Sequence, residues 1–156
     1  MDAMLPPFQM LLDDHGDDVH RFLVAMVGPD EADDCFQDTF IAALRGYPGL
    51  RDGSNLRGWL LTIAHRKAID AHRARRRRPK PIGDVPDRAA VGGERSDDGL
   101  WTLVRTLPPK QRAAVAHRFV ADLPYAQIAQ VMRTTQDAAR RNVHEGVRKL
   151  REAMRT

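Results

Sequence analysis

The chain has 156 residues, 42% hydrophobic and 6% aromatic, with 25 lysines and arginines against 21 aspartates and glutamates. That length accommodates one domain or two small ones, each with a modest core. A single cysteine, Cys35, excludes an internal disulfide and a multi-cysteine zinc site. No apolar run reaches membrane-spanning length, and the acidic N-terminus is unlike a signal peptide, so a cytoplasmic protein without membrane insertion is expected.

Charge falls in blocks. Residues 1–40 carry ten acids and one base, and residues 41–80 carry two acids and eleven bases. Residues 81–100 are acidic again, and residues 101–156 hold eleven bases against four acids. Such segregation predicts two kinds of partner, a basic surface for the acidic part and a polyanion for the basic parts.

Phe8, Leu11, Leu12, Val19, Phe22, Leu23 and Met26 recur at helical spacing, and Asp13, Asp14, Asp17 and Asp18 lie on the opposite face. Gly28-Pro29 ends this helix, and Asp30 is the expected cap of a second. The second helix has Ala32, Cys35, Phe36, Thr39, Phe40 and Ala43 inward, with Asp33, Asp34, Gln37 and Asp38 outward. A turn this short predicts antiparallel packing. Residues 46–53 break the helix and form a loop with one aromatic, Tyr47.

Ser54-Asn55 then opens a third helix, with an apolar stripe at Leu56, Trp59, Leu60 and Ile63 that gives way to four arginines, Arg75–Arg78, before Pro79. Residues 79–99 hold three prolines and four glycines and read as an acidic, flexible linker. A second helical domain follows over 100–156. It has a helix starting at Pro108-Pro109, a short helix after Pro124, and a turn at Arg133-Thr134-Thr135. Thr135 caps a final helix with Ala139, Val143, Val147 and Leu150 inward. Small Ala129, the tight turn and outward Arg140, Arg141, His144, Arg148 and Arg151 follow helix-turn-helix logic. The fold class is all-α.

The six histidines form no metal-ligand pair at helical spacing, and Cys35 has no histidine at motif spacing, so neither a catalytic site, a cofactor nor a metal is expected. The basic helices carry a different mechanism. Arginines neutralise phosphates, while base edges in a duplex are read by a helix in the major groove. Opened strands are held by a basic groove with aromatic contacts.

These residues resemble the extracytoplasmic-function (ECF) sigma factors, the small two-domain members of the sigma-70 family of bacterial RNA polymerase. The resemblance rests on EADDCFQDTFIAAL at 31–44, NLRGWLLTIAHRKAIDAHRARRRR at 55–78, and LPPKQRAAVAHRFVADLPYAQIAQVM at 107–132 with the helix after it. It implies a region 2 domain over 1–78, a linker over 79–99 and a region 4 domain over 100–156.

Core polymerase would bind through Asp33, Asp34, Gln37, Asp38 and Phe40, docking on the β′ clamp coiled coil, with the β flap as a further contact. The single non-template strand at −10 would be held by Tyr47, Asn55, Arg57, Trp59, His65, Arg66, Arg73 and Arg76. Double-stranded DNA at −35 would be read by Thr135, Gln136, Arg140, Arg141, His144 and Arg148. Such a protein makes no bond itself. It selects promoters and promotes their opening, and is nucleoid-associated when bound to polymerase. Many members of the group are held inactive by an anti-sigma factor, which becomes a candidate partner. The rival reading is a helix-turn-helix regulator acting without polymerase.

The chain departs from the family pattern at His65-Arg66-Lys67, often Arg-Asn-Leu. Other departures are His117 for Leu, Arg133 for the turn glycine, and Glu145-Gly146 for a basic residue and Ala. Glu145 is expected to repel a phosphate, and Gly146 to cost about 1 kcal/mol of helix stability relative to Ala.

Overall fold

The computed structural model describes residues 5–51, 53, 55–77 and 96–155. Among them every regular element is helical: α1 (Phe8–Val27), α2 (Pro29–Gly46), a 3-10 turn (Tyr47–Gly49), α3 (Leu56–Arg77), α4 (Ser96–Val104), α5 (Pro109–Phe119), α6 (Tyr125–Met132) and α7 (Gln136–Arg155).

The α1–α2 corner is made by Gly28, whose φ of 90° few residues other than glycine adopt, and whose N–H bonds the Val24 carbonyl at 2.9 Å. Pro29 occupies the first position of α2, where its missing N–H costs nothing. Gly28 itself is the N-cap, so Asp30 stands in the first turn and is not the expected cap. There its carboxylate still complements the helix dipole.

Helices α1 and α2 pack as the expected pair, and α3 lies across both. Val19, Phe22 and Leu23 of α1, Ala32 and Ala43 of α2, and Leu60, Leu61, Ala64 and Ala68 of α3 are fully buried between them. Asn55 caps α3, accepting the Gly58 N–H at 3.0 Å. Ser54, the other expected capping residue, lies outside the described residues, as does Arg78.

The expected linker lies mostly outside the described residues, but its last part does not. Helix α4 begins at Ser96, four residues before the expected start of the second domain. Two aspartates following Ser96 suit a helix N-terminus, a signal obscured by the surrounding glycines. Helices α5, α6 and α7 pack on one another, and Val104, Leu107, Val115 and Leu150 form a local apolar cluster. Ala113, Ala116, Ala121, Leu123 and Ile128 instead join the core of the first three helices, so one apolar interior runs through both units.

The α6–α7 turn has the geometry that glycine usually supplies. Arg133 sits in the left-handed region at φ 56°, and the Thr134 N–H bonds the Ala129 carbonyl at 2.9 Å. A non-glycine residue there costs about 1 kcal/mol, offset by the capped carbonyls and by Thr135, whose Oγ1 accepts the Ala138 N–H at 3.0 Å to start α7.

Gly146 proves to be a packing residue. A Cβ built at that position would lie 2.7 Å from Cγ2 of Val115, so its absence is what lets α7 approach α5. The helix-propensity gain of Gly146→Ala, about 1 kcal/mol, is opposed by an overpacking cost of about 1–3 kcal/mol. Gly146→Ala is therefore expected to destabilise the chain by about 1 kcal/mol net, seen as a lowered urea midpoint instead of a raised one. A stabilised variant in the same titration would show that α5 yields freely.

Candidate polymerase and nucleic-acid surfaces

The outer face of α2 is acidic as expected. Asp33, Asp34, Gln37 and Asp38 are exposed. Asp33 contacts His20, with Nε2 and Oδ1 3.0 Å apart, whereas Asp34 and Asp38 form no ion pair with a described residue. Their field reaches inward. The buried Cys35 thiol is pushed up to about 11, first by burial and then by Glu31, Asp38 and Asp34. Phe40 does not share that surface. It is buried, with its ring 4.8 Å from Phe36 and 6.2 Å from Phe8, and supports α2 from below.

Two residues missed in the sequence continue the acidic face. Ile41 and Leu44 are 46% and 55% exposed and follow Gln37 at steps of four and seven. The available signal was an apolar residue falling on the outer side of the wheel beside Asp34 and Asp38.

The residues expected at the single strand divide into three groups. Tyr47 and Trp59 face inward, with ring centroids 6.2 Å apart, and Phe8 lies 5.4 Å from Tyr47. The Tyr47 hydroxyl donates to the Pro6 carbonyl. The expected free aromatic of the loop is thus tied to the chain start, because a ring that can be buried with its hydroxyl satisfied gains more than one left in water. Arg66, Arg73 and Arg76 are exposed along one flank of α3 and form the cation rail. Arg75 turns back, its Nε 3.4 Å from Oε2 of Glu31.

Arg57 and His65 are engaged with the second unit. Arg57 Nε pairs with Asp18 Oδ2 at 3.0 Å, and its Nη2 donates to the Ala121 carbonyl beyond α5. His65 Nδ1 lies 3.1 Å from Nε2 of His117, which is fully buried and stacked on Phe22 with ring centroids 4.3 Å apart. Burial, then the Arg66 charge, lowers His65 to about 4; burial, then His65, takes His117 well below its ordinary value. Both rings are neutral near pH 7 and share one proton along their contact. Asn55 is exposed at the edge of this seam.

Thr135, just before α7, and Gln136, Arg140, Arg141, His144 and Arg148 on α7 are all exposed. Arg140 is braced by Asp137 at 3.5 Å and by the Tyr125 ring 4.9 Å from its guanidinium carbon. Arg148 pairs with Glu152 at 3.7 Å. Glu145 is turned away from this face. Its Oε1 accepts from Nε2 of Gln111 on α5 at 3.2 Å, so the expected repulsion of phosphate is replaced by an interhelix tie. Among the described residues no group of three His, Cys, Asp or Glu side chains could hold a metal, and no helix is long and apolar enough to cross a membrane.

The sigma-70 region 2 family matches residues 11–78, and sigma-70 region 4 matches residues 98–150. ECF RNA polymerase sigma factor SigD of Mycobacterium tuberculosis is 32% identical over 149 residues, covering 86% of this chain and 70% of that protein. RNA polymerase sigma factor CarQ of Myxococcus xanthus is 28% identical, covering 98% and 92%. The sigma factor RpoE of Bartonella quintana, solved with the anti-sigma factor NepR, shares the fold with a TM-score of 0.80 at 21% identity over 96% of this chain and 97% of that one. Two sigma-70 regions in order, on an acidic hairpin, a basic helix and a helix-turn-helix, establish that the chain belongs to the ECF sigma factors, the alternative sigma factors that direct RNA polymerase to promoters.

Proposed function

We propose that the chain divides this work among three surfaces, with region 2 ending near Arg77 and region 4 beginning with α4. The exposed acids of α2, Asp33, Asp34, Gln37 and Asp38, together with Ile41 and Leu44, dock on the basic β′ clamp coiled coil of core polymerase. Phe40 acts from beneath by fixing the helix. Asp34 and Asp38, which form no ion pair with a described residue, are free to pair outward, and two exposed aliphatic side chains beside them supply the apolar contact that charge alone lacks. The single observation carrying this reading is that the acidic face and both basic faces lie on separate elements of one chain matching region 2 and region 4 in order.

On α3, Arg66, Arg73 and Arg76 form the track for the non-template strand at −10, with Asn55, Arg57 and His65 at its head. Tyr47 and Trp59 position the loop and helix from inside. On α7, Thr135, Gln136, Arg140, Arg141, His144 and Arg148 meet the duplex at −35, and region 4 contacts the β flap. Arg140, held by Asp137 and Tyr125, is preorganised for a base edge, while the other cations suit phosphates. The protein is cytoplasmic, joins the nucleoid with polymerase, and performs no bond chemistry. Its relation to a sigma factor solved with an anti-sigma factor supports such a partner here as well.

The reading is tested by adding the purified chain to sigma-free core polymerase on a promoter library. Specific start sites are expected. A duplex footprint without polymerase and no start sites would favour the regulator reading.

Asp34→Lys with Asp38→Lys is expected to reduce co-purification with core polymerase at least tenfold, about 1.4 kcal/mol, while helicity stays constant. Undiminished co-purification would remove the docking assignment.

Replacing Arg140 and Arg141 by Ala should cut −35-dependent initiation by about tenfold or more. Initiation on a pre-opened template lacking a −35 element should be spared. Equal loss on both templates would show that α7 does not read the −35 element.

A further inference from the structure

A cavity of about 240 Å³ opens where the end of α1, the last turns of α3 and the α4–α5 corner meet. Met26 and Val27 form its apolar wall, and Glu31, His72, Arg75, Arg105 and Arg112 supply the rest. Core binding and the two DNA surfaces use none of these five polar residues.

Charge in this cavity does not balance. Three arginines line it against one carboxylate, Glu31, whose Oε2 already lies 3.4 Å from Nε of Arg75. Arg105 and Arg112 donate to backbone carbonyls, those of Val24 at 3.2 Å and Met26 at 3.1 Å. These carbonyls end α1, and a whole helix end carries only about half an elementary charge. Two positive charges among the lining residues are thus opposed by a fraction of one. Arg112 is relieved by no carboxylate: its Nη2 donates to the Leu107 carbonyl at 3.2 Å, and its Nε is buried without a partner. Burial, then the Arg105 charge, weakens its hold on its proton. His72 stands in the same field. Burial holds it low, then Arg112, Arg76 and Arg75, with Glu31 opposing.

We propose that this cavity binds a phosphate dianion, free or as the terminal phosphate of a small phosphorylated molecule, through Arg75, Arg105 and Arg112. A dianion matches the two uncompensated charges, whereas a monoanion leaves one. A guanidinium presents five N–H donors in a fork that fits phosphate oxygens, so the carbonyl contacts need not break. Size limits what enters. The cavity is smaller than the roughly 300–1,000 Å³ usual for a whole small-molecule ligand, so a phosphate fits and any larger body stays outside. The Met26–Val27 wall lowers the local dielectric and strengthens each charge contact. A ligand here touches α3 and α5 together, so its binding also stabilises the folded chain. The site requires neither polymerase nor promoter, and stands independently of the surfaces proposed for them.

The test follows the His72 ring by NMR in the full chain, with the signal assigned through His72→Gln. Inorganic phosphate replaces chloride at constant ionic strength and neutral pH. A saturable shift is expected, and the His72 titration midpoint should rise with phosphate bound, because a nearby anion favours the charged ring. Arg112→Gln, which retains a donor for the Met26 carbonyl, should weaken the apparent affinity about tenfold or more. Arg75→Gln, at an exposed helix end, should weaken it about threefold and keeps the site testable if Arg112→Gln disturbs packing. Competition by a nucleoside 5′-monophosphate would assign the ligand to phosphorylated molecules, and its failure to free phosphate. A shift produced by a phosphodiester-linked oligonucleotide but not by phosphate would overturn the proposal. So would a drift that never saturates, or a saturable one that both arginine variants leave unchanged.

Discussion

The rest of the structure depends on the seating of α3 on the α1–α2 hairpin. Leu60, Leu61, Ala64 and Ala68 are fully buried there, and the two alanines let the helix axes approach closely. Ile69 and Ala71 still pack against the core, and from Arg73 onward the side chains are exposed and mostly cationic. An arginine run at a helix C-terminus complements the helix dipole, so the run proposed to hold a polyanion also stabilises the end of the helix that carries it. Burial at one end and charge at the other let a single element belong to the core and to the binding surface.

That seating also separates charge in space. The acids of α2 and the cations of α3 lie close in sequence, yet the hairpin turns most of them onto different surfaces, with Glu31–Arg75 as a point of contact. Without this separation the two blocks would neutralise each other. With it, the chain presents a negative surface to a basic protein and a positive one to nucleic acid, and both associations should weaken with salt.

The departures from the family pattern acquire physical meaning in three dimensions. Gly146 and Glu145 both serve the α5–α7 contact, one by being small and the other by reaching Gln111. His65 and His117 sit 52 positions apart and meet at 3.1 Å, so two unusual residues are one feature. Burial leaves Nδ1 of His117 without a partner. An unsatisfied buried nitrogen costs stability that a leucine would not lose, and this marks the seam as adjusted for something other than maximal packing. Arg133 in the left-handed turn has no comparable gain.

Helical periodicity, proline and glycine punctuation and the division of charge were legible in the sequence because each is local. They determined six of the eight described elements closely, most of the inward and outward faces of α2 and α7, and the family itself. Helix α4 began earlier than expected because its start lies in a stretch whose composition reads as linker. Tertiary structure alone decided which aromatic rings were free, since a loop tyrosine packs against the core only if another segment, here Phe8 and Pro6, comes to meet it. It alone decided that Arg105 and Arg112 cap a helix some eighty residues earlier, and that Arg57 and His65 of α3 meet Ala121 and His117 of the second unit. Sequence spacing carries information about neighbours on one helix and none about which helix ends lie opposite each other. The hairpin, the arginine-ended helix and the final helix could therefore be read in advance, and the seam between them could not.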